Sequence, residues 1–401
     1  MRSRIIPIIL LTLFVLGTIV FGASCETKEP IVFGGALPLT GWGADGGEYN
    51  RRGYVVWEDM VNAAGGILGR PVKVVIYDDK SDPTVTTRLY EKLVTQDKVD
   101  FLLSPWTDDM VMAATTVGEK YGKTIVAGGA TYPAIWERGY KYVTGLLPNS
   151  KDYVGVGIRF FSGLETVALL NLDLTFTTGF ADAAEWNFPR EGMTLVFPRQ
   201  TYTGDTTDLT APLLKIKAKN PDLIVACTGG AEDATMILRQ AKEIGLSPKA
   251  WWFTIAPVIP EYIEVLGEDA EYTLGCSEWE PELPATIEDF SIRAAFNQRH
   301  REMFGGDDPV EDAATTFGVG QIMQLAIEKV GELDDEKINE ALHELDTSTV
   351  FGYYRVDEAG KQKGKVMYVI QVQDGVRETL WPFKAATSVL KFPTPPWDKR
   401  D

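Results

Sequence analysis

The residues best spaced for chemistry lie in "IVFGGALPLTGWGADGGEYNRRG", where Gly41, Gly43 and Gly46 spell G-x-G-x-x-G after the apolar run Ile31 to Ala36. A dinucleotide loop of that spelling starts at the strand end and aims a helix N-terminus at a pyrophosphate. Here Leu37-Pro38-Leu39-Thr40 intervene. The acidic residue expected about 20 residues further on is also missing, because Asp78 and Asp79 come later. Nucleotide binding is therefore not expected, although a loop at the carboxyl end of a strand still faces a cleft. Other constellations are weaker. His300 and His343 stand in charged helical stretches without a partner at metal-ligand spacing, and read as surface residues. No G-x-S-x-G elbow or Cys/His pairing is present. The adjacent acids Asp78-Asp79, Asp307-Asp308 and Asp334-Asp335 point in different directions and make poor acid/base pairs; Asp78-Asp79 reads as structural. The expectation is a protein that is not an enzyme and needs no cofactor or metal.

A chain of 401 residues exceeds one ordinary core and implies two domains. Its net charge of -18 would repel phosphate backbones, which argues against nucleic-acid partners. Residues 1–25 stand apart: Arg2 and Arg4 precede an apolar run, Ile5 to Ala23, that ends in "GASC". This is the pattern of an export signal. It reads as lipoprotein-type, with Cys25 as lipid acceptor and the membrane surface as partner, although Gly22 stands where such signals usually carry Leu. An uncleaved anchor and a freely secreted chain are the alternatives, and all three place the rest of the chain outside the cytoplasm. Cys227 and Cys276 lie in apolar strand-like runs and are expected to be buried free thiols.

From Ile31 onward, short runs rich in Val, Ile and Leu alternate with amphipathic stretches. The runs "IVFGGA", "VKVVIYDD", "DFLLSP", "TIVAGG", "YKYVTGLL", "TVALLNL", "MTLVFP", "DLIVACTGG", "AWWFTIA" and "EYTLGCSEW" lack polar alternation, as strands covered on both faces do. Helices are expected over 50–64, 83–97, 109–121, 232–244, 288–304, 312–330 and 335–345. Asp82-Pro83 marks one start and Gly245 one stop. The alternation predicts a doubly wound α/β chain, with "KFPTPPWDKRD" as an irregular tail over 386–401.

The run "VNAAGGILGRPVKVVIYDDKSDP", with "GALPLTGWGADGG" before it and "TYTGDTTDLTAPLLKIKAKNPDLIVACTGGAEDATMILRQAKEIGL" later, resembles the substrate-binding proteins of branched-chain amino-acid-type ABC transporters. The resemblance covers most of 31–375. It implies a type I periplasmic binding fold of two α/β lobes joined by three crossover strands, near 144–150, 275–281 and 347–354. The first lobe would comprise 31–146 plus 280–348, and the second 147–279 plus 349–385. Closure of the lobes would trap a ligand, and ABC permease subunits would receive it.

By the same resemblance, ligand contacts fall in "SPWTDDM" and "GGATYP", where Gly129, Ala130 and Thr131 match loops that hold an α-carboxylate. Trp106, Thr107 and Asp108 depart from that pattern, since hydroxyl residues are expected there. Asp108 either caps helix 109–121 or meets the ligand. In the second lobe, Thr254 stands near the place of an acidic ammonium ligand, and Phe176 and Gly230 replace tyrosines. Trp251 and Trp252 project to opposite faces, and Trp252 is assigned to the cleft with the core as its alternative. Trp42 joins Trp106 on the first lobe, and Trp279 packs the hinge or meets ligand. The expected pocket is aromatic with an acidic group, suited to an amino-acid-like, amine or aromatic ligand. A ligand-sensing receptor of the same fold is the alternative function, and a monomer the expected state.

Overall fold

The computed structural model describes residues 28–161, 163–282 and 290–400. Cys25 and the export segment lie outside the described residues. In the first lobe, strands Val72–Asp78, Ile31–Leu37 and Phe101–Leu102 run parallel in that spatial order. Strands Ile125–Ala127 and Val143–Gly145 form a parallel pair beside them. Helices Ala44–Ala63 and Glu311–Val330 cover one face over a core containing Phe33, Trp57, Val319 and Met323. Helices Pro83–Lys92 and Asp108–Tyr121 cover the other, over Ala36, Tyr90, Leu102 and Val117.

The second lobe is built on an eight-stranded sheet whose centre, Thr166–Leu172, Leu223–Cys227, Ala250–Phe253 and Leu274–Ser277, is parallel. Strands Tyr368–Gln373 and Val376–Trp381 extend it in antiparallel fashion. Two cores flank this sheet, so Trp251 and Trp252, adjacent on one strand, are each wholly buried on opposite faces. Both tryptophans are core residues, and Trp252, assigned to the cleft from sequence, packs against Gly157 instead.

Local chemistry sets the element ends. The Asp82 side chain accepts the Thr84 N–H at 2.7 Å at the start of its helix. Gly122, Gly245 and Gly331 take positive φ where helices stop. Cys227 and Cys276 are buried free thiols, raised above their ordinary pKa by burial. His300 is not a surface residue: it is buried between the rings of Phe296 and Phe304, with Nδ1 3.0 Å from the Asp307 carbonyl oxygen. His343 is half-buried beside the Asn339 carbonyl. The tail docks on the second lobe through Trp397 Nε1, which donates to the Leu246 oxygen at 2.7 Å. No helix among the described residues is long and apolar enough to cross a membrane.

Three connecting segments join the lobes. Leu146 and Leu147 belong to the first core, and helix Ser150–Arg159 lies on the second. Cys276 packs in the second core and Trp279 in the first. Val350, Phe351, Tyr354 and Val356 pack in the first core before Met367 enters the second, so the return crossing follows Val356. The segments also bind one another. The Trp279 indole N–H donates to the Val350 oxygen at 2.9 Å, and the Gly145 N–H to the Gly360 oxygen at 2.8 Å.

Helices Ala44–Ala63 and Glu311–Val330 approach closely at Gly53, where an added Cβ would stand 2.1 Å from the Ala313 oxygen. We expect Gly53→Ala to destabilise the protein by about 1–3 kcal/mol in urea unfolding. Gly204→Ala, where nothing lies within 4 Å, should change it by less than about 0.5 kcal/mol. Equal effects would contradict this packing.

Candidate functional site

The glycine loop is fixed from outside by a carboxylate. Asp78 Oδ1 accepts the N–H groups of Leu39 and Thr40, each at 3.1 Å, and Oδ2 accepts the Thr40 hydroxyl at 2.6 Å. The structural reading of Asp78 accounts for these bonds. Trp106 then lies over the loop: Cβ atoms at Gly46 and Gly129 would come within 2.5 and 2.6 Å of its ring. Its indole, rather than a pyrophosphate, fills the space those glycines leave. Trp42, 67% exposed, stands 6.2 Å from Trp106 between ring centroids and donates Nε1–H to the Ser81 oxygen.

Asp108 is the first residue of helix Asp108–Tyr121, yet it does not cap that helix. Its Oδ1 accepts the N–H groups of Thr131 and Tyr132, at 2.8 and 2.9 Å, in the neighbouring strand-end loop. Oδ2 is buried without a hydrogen-bond partner among the described residues. Burial pushes the Asp108 carboxyl up to about 6 against the pull of those two donors. Thr107, at the N-cap, makes no side-chain capping bond and is half-buried. Gly129 joins Trp106 through a parallel bridge, and Ala130 and Thr131 are buried beside it.

The second lobe repeats the device. Asp233 accepts the N–H groups of Gly229 and Gly230 at 3.0 and 3.1 Å and the Tyr202 hydroxyl at 2.7 Å. Thr254 is buried: its Oγ1 accepts the Thr228 N–H at 3.2 Å and donates to the Thr228 oxygen at 3.1 Å, which ties two strand ends together. Phe176 stands edge-on to Phe180, which packs on Tyr153. The lobes meet where Thr175 Oγ1 donates to Asp109 Oδ2 at 3.2 Å, and where Tyr132 lies against Gly179, so close that a Cβ there would be 3.0 Å from its ring.

A second group of acids lies where the crossings meet the first lobe, and sequence reasoning missed it. The Glu278 N–H points at Glu311 Oε2 at 3.4 Å, and Asp312 Oδ1 accepts from Asn50 Nδ2 at 3.1 Å. Burial raises Glu278 and Glu311 well above the carboxylate range, with repulsion from Glu311 and Asp312 adding at Glu278 and from Asp312 at Glu311, and burial raises Asp312 to about 6. The nearby cation, Lys365, is buried with Nζ on the Phe351 oxygen at 2.6 Å, and burial lowers it to about 7. These residues are distant in sequence, and only the "CSEW" crossing, already singled out for Trp279, pointed near them.

The chain matches the family model for periplasmic binding proteins over residues 30–377. It belongs to the periplasmic binding protein family. This binding protein is 27% identical to a leucine-, isoleucine-, valine-, threonine- and alanine-binding protein of Pseudomonas aeruginosa, over 86% of this chain and 90% of that protein. It is 22% identical to a Leu/Ile/Val-binding protein homolog of Brucella suis, over 92% and 96%. Among solved structures, a leucine-binding protein of Thermotoga maritima superposes with a TM-score of 0.75 at 21% identity, covering 87% of this chain and 97% of that one. A solute-binding protein of Rhodopseudomonas palustris in complex with benzoate gives 0.73 at 17%, covering 88% and 95%. The binding protein is thus an extracytoplasmic solute-binding protein with a type I periplasmic binding fold, and belongs to a non-catalytic family.

Asp79, Asp108 and Asp312 hold protons up to about 6 in the folded chain, against an ordinary 3.8. Between those values the folded state binds more protons than the unfolded one, so these groups make stability fall as pH rises through that window. The thermal midpoint of the binding protein should therefore be higher near about pH 5 than near about pH 7.5, and Asp312→Asn should shrink the difference. A midpoint that climbs across that range would contradict the assignment.

Proposed function

We propose that this protein captures a small amino-acid-like, amine or aromatic solute between its lobes and delivers it to the permease subunits of an ABC importer. The observation that carries the reading is the meeting of strand-end loops from both lobes, with Asp109 bonded to Thr175 and Tyr132 seated against Gly179. Such contacts hold the lobes together over a trapped solute and release it when they part. Family membership supports the importer partnership. The "GASC" segment supports tethering of a monomer to the membrane surface through a lipid on Cys25.

Capture is tested on the mature chain, refolded from denaturant to remove carried-over solute, with aliphatic amino acids, aromatic acids, amines and polyols. A ligand at 100-fold its Kd should add about 2.7 kcal/mol of stability and make the protein more compact in small-angle scattering. No stabilisation by any member, with unchanged dimensions, would count against capture. Tethering is tested separately: Cys25→Ala should move the protein from the membrane fraction to the soluble one, and unchanged partitioning would refute the lipid anchor.

A further inference from the structure

We infer that this protein carries a second ligand site, separate from the interlobe cleft: a groove on the second lobe that takes an amphiphilic carboxylate, an apolar or aromatic body ending in one acid group. The groove lies where two of the crossings enter the second lobe, with Pro148 of the first and Lys365, Val366 and Met367 of the third along its sides. It encloses about 660 Å³, within the span of small-molecule sites. None of the residues at which the lobes meet, Asp109, Thr175, Tyr132 and Gly179, lines it.

The walls follow from local sequence. Asp152 and Val156 on helix Ser150–Arg159, and Phe160 just past its end, stand four residues apart and share one face. Strand Val376–Trp381 supplies another wall through its last residue: the Trp381 ring stands edge-on to Phe160 at 6.4 Å and to Phe383 at 4.9 Å between centroids. Two apolar side chains of the lining are held out in water, Phe383 at 76% exposed and Val366 at 50%. Apolar groups gathered around a concave space and left wet favour a ligand that covers them.

Charge selects the other end of the ligand. Of the charged side chains in the lining, Asp152 is occupied: Lys363 pairs with it at 3.5 Å and Asn149 Nδ2 donates to it at 2.7 Å. The Lys365 ammonium is held on the Phe351 oxygen at 2.6 Å. Arg159, exposed at the end of its helix, has no hydrogen bond or ion pair among the described residues. The groove therefore joins an apolar lining to one free guanidinium, whose parallel N–H groups match the two oxygens of a carboxylate. A neutral apolar molecule would leave that guanidinium without a partner, and an amine would meet like charge.

The test is equilibrium dialysis of the mature chain against 4-phenylbutyrate and 4-phenylbutanol, which share a body and differ in the carboxylate. The acid should bind about tenfold more tightly than the alcohol. Arg159→Gln should cancel that preference, and Phe383→Ser should weaken both probes several-fold. Both residues are exposed, so neither variant threatens the fold. Arg190→Gln, at a surface arginine stacked on Trp186, should change nothing. Acid binding that Arg159→Gln and Phe383→Ser both leave unchanged is binding elsewhere, the cleft included, and overturns the site. An alcohol bound as tightly as the acid overturns the carboxylate assignment, and binding of neither probe overturns the proposal whole. None of these outcomes bears on capture between the lobes, which the wider solute panel tests.

Discussion

The carboxylate of Asp108 bridges two strand-end loops of the first lobe, and the geometry of the cleft depends on where it holds them. One residue inside its own helix, it reaches across to the N–H groups of Thr131 and Tyr132. Tyr132 in turn is the side chain that meets Gly179 of the other lobe. A buried carboxylate is tolerated only when donors compensate its lost hydration, so the loop cannot move away without leaving that charge bare. Asp78 does the same for the glycine loop, and Asp233 for the second lobe. Three aspartates thus engage backbone donors at the strand ends and hold the loops in place.

The crossings obey a related constraint. They are bonded to one another through Trp279, Val350, Gly145 and Gly360, so they form one unit about which the lobes can turn. Glu278 sits on that unit, while Glu311 and Asp312 begin a helix of the first lobe. Burial holds protons on Glu278 and Glu311, so crossing and helix can sit close without bare charges facing each other.

The doubly wound pattern was legible because the central strands are apolar without alternation and the helices between them carry start and stop residues. That same lack of alternation hid the fate of Trp252. On a strand covered on both faces, neither parity leads to the cleft, and both tryptophans enter cores. Asp108 was legible as a special residue but not in its direction, since a capping carboxylate and one that bridges to the next loop have identical sequence. His300 was misread as exposed, although Phe296 and Phe304, four residues to either side, mark the apolar stripe on which it lies. The acidic group at the crossing was legible only in the "CSEW" segment that carries Glu278, because Asn50, Glu278 and Glu311 meet only through the return of the chain to the first lobe.

The G-x-G-x-x-G spelling shows how one chemical property can serve opposite ends. In a phosphate loop, glycines leave room for a ligand to approach backbone N–H groups. Here the room is taken by the protein: Trp106 lies on Gly46 and Gly129, and a Cβ at Gly47 would come within 2.1 Å of the Pro38 oxygen. Of the three glycines in the motif, only Gly41, at φ 91°, needs a backbone that other residues avoid. The loop's small residues thus bring an aromatic ring down onto a helix start, where Cβ atoms at Gly43 and Gly46 would crowd against it. A glycine-rich loop built in this way is packed by the protein's own aromatic ring, and the spelling that would admit a phosphate here admits an indole.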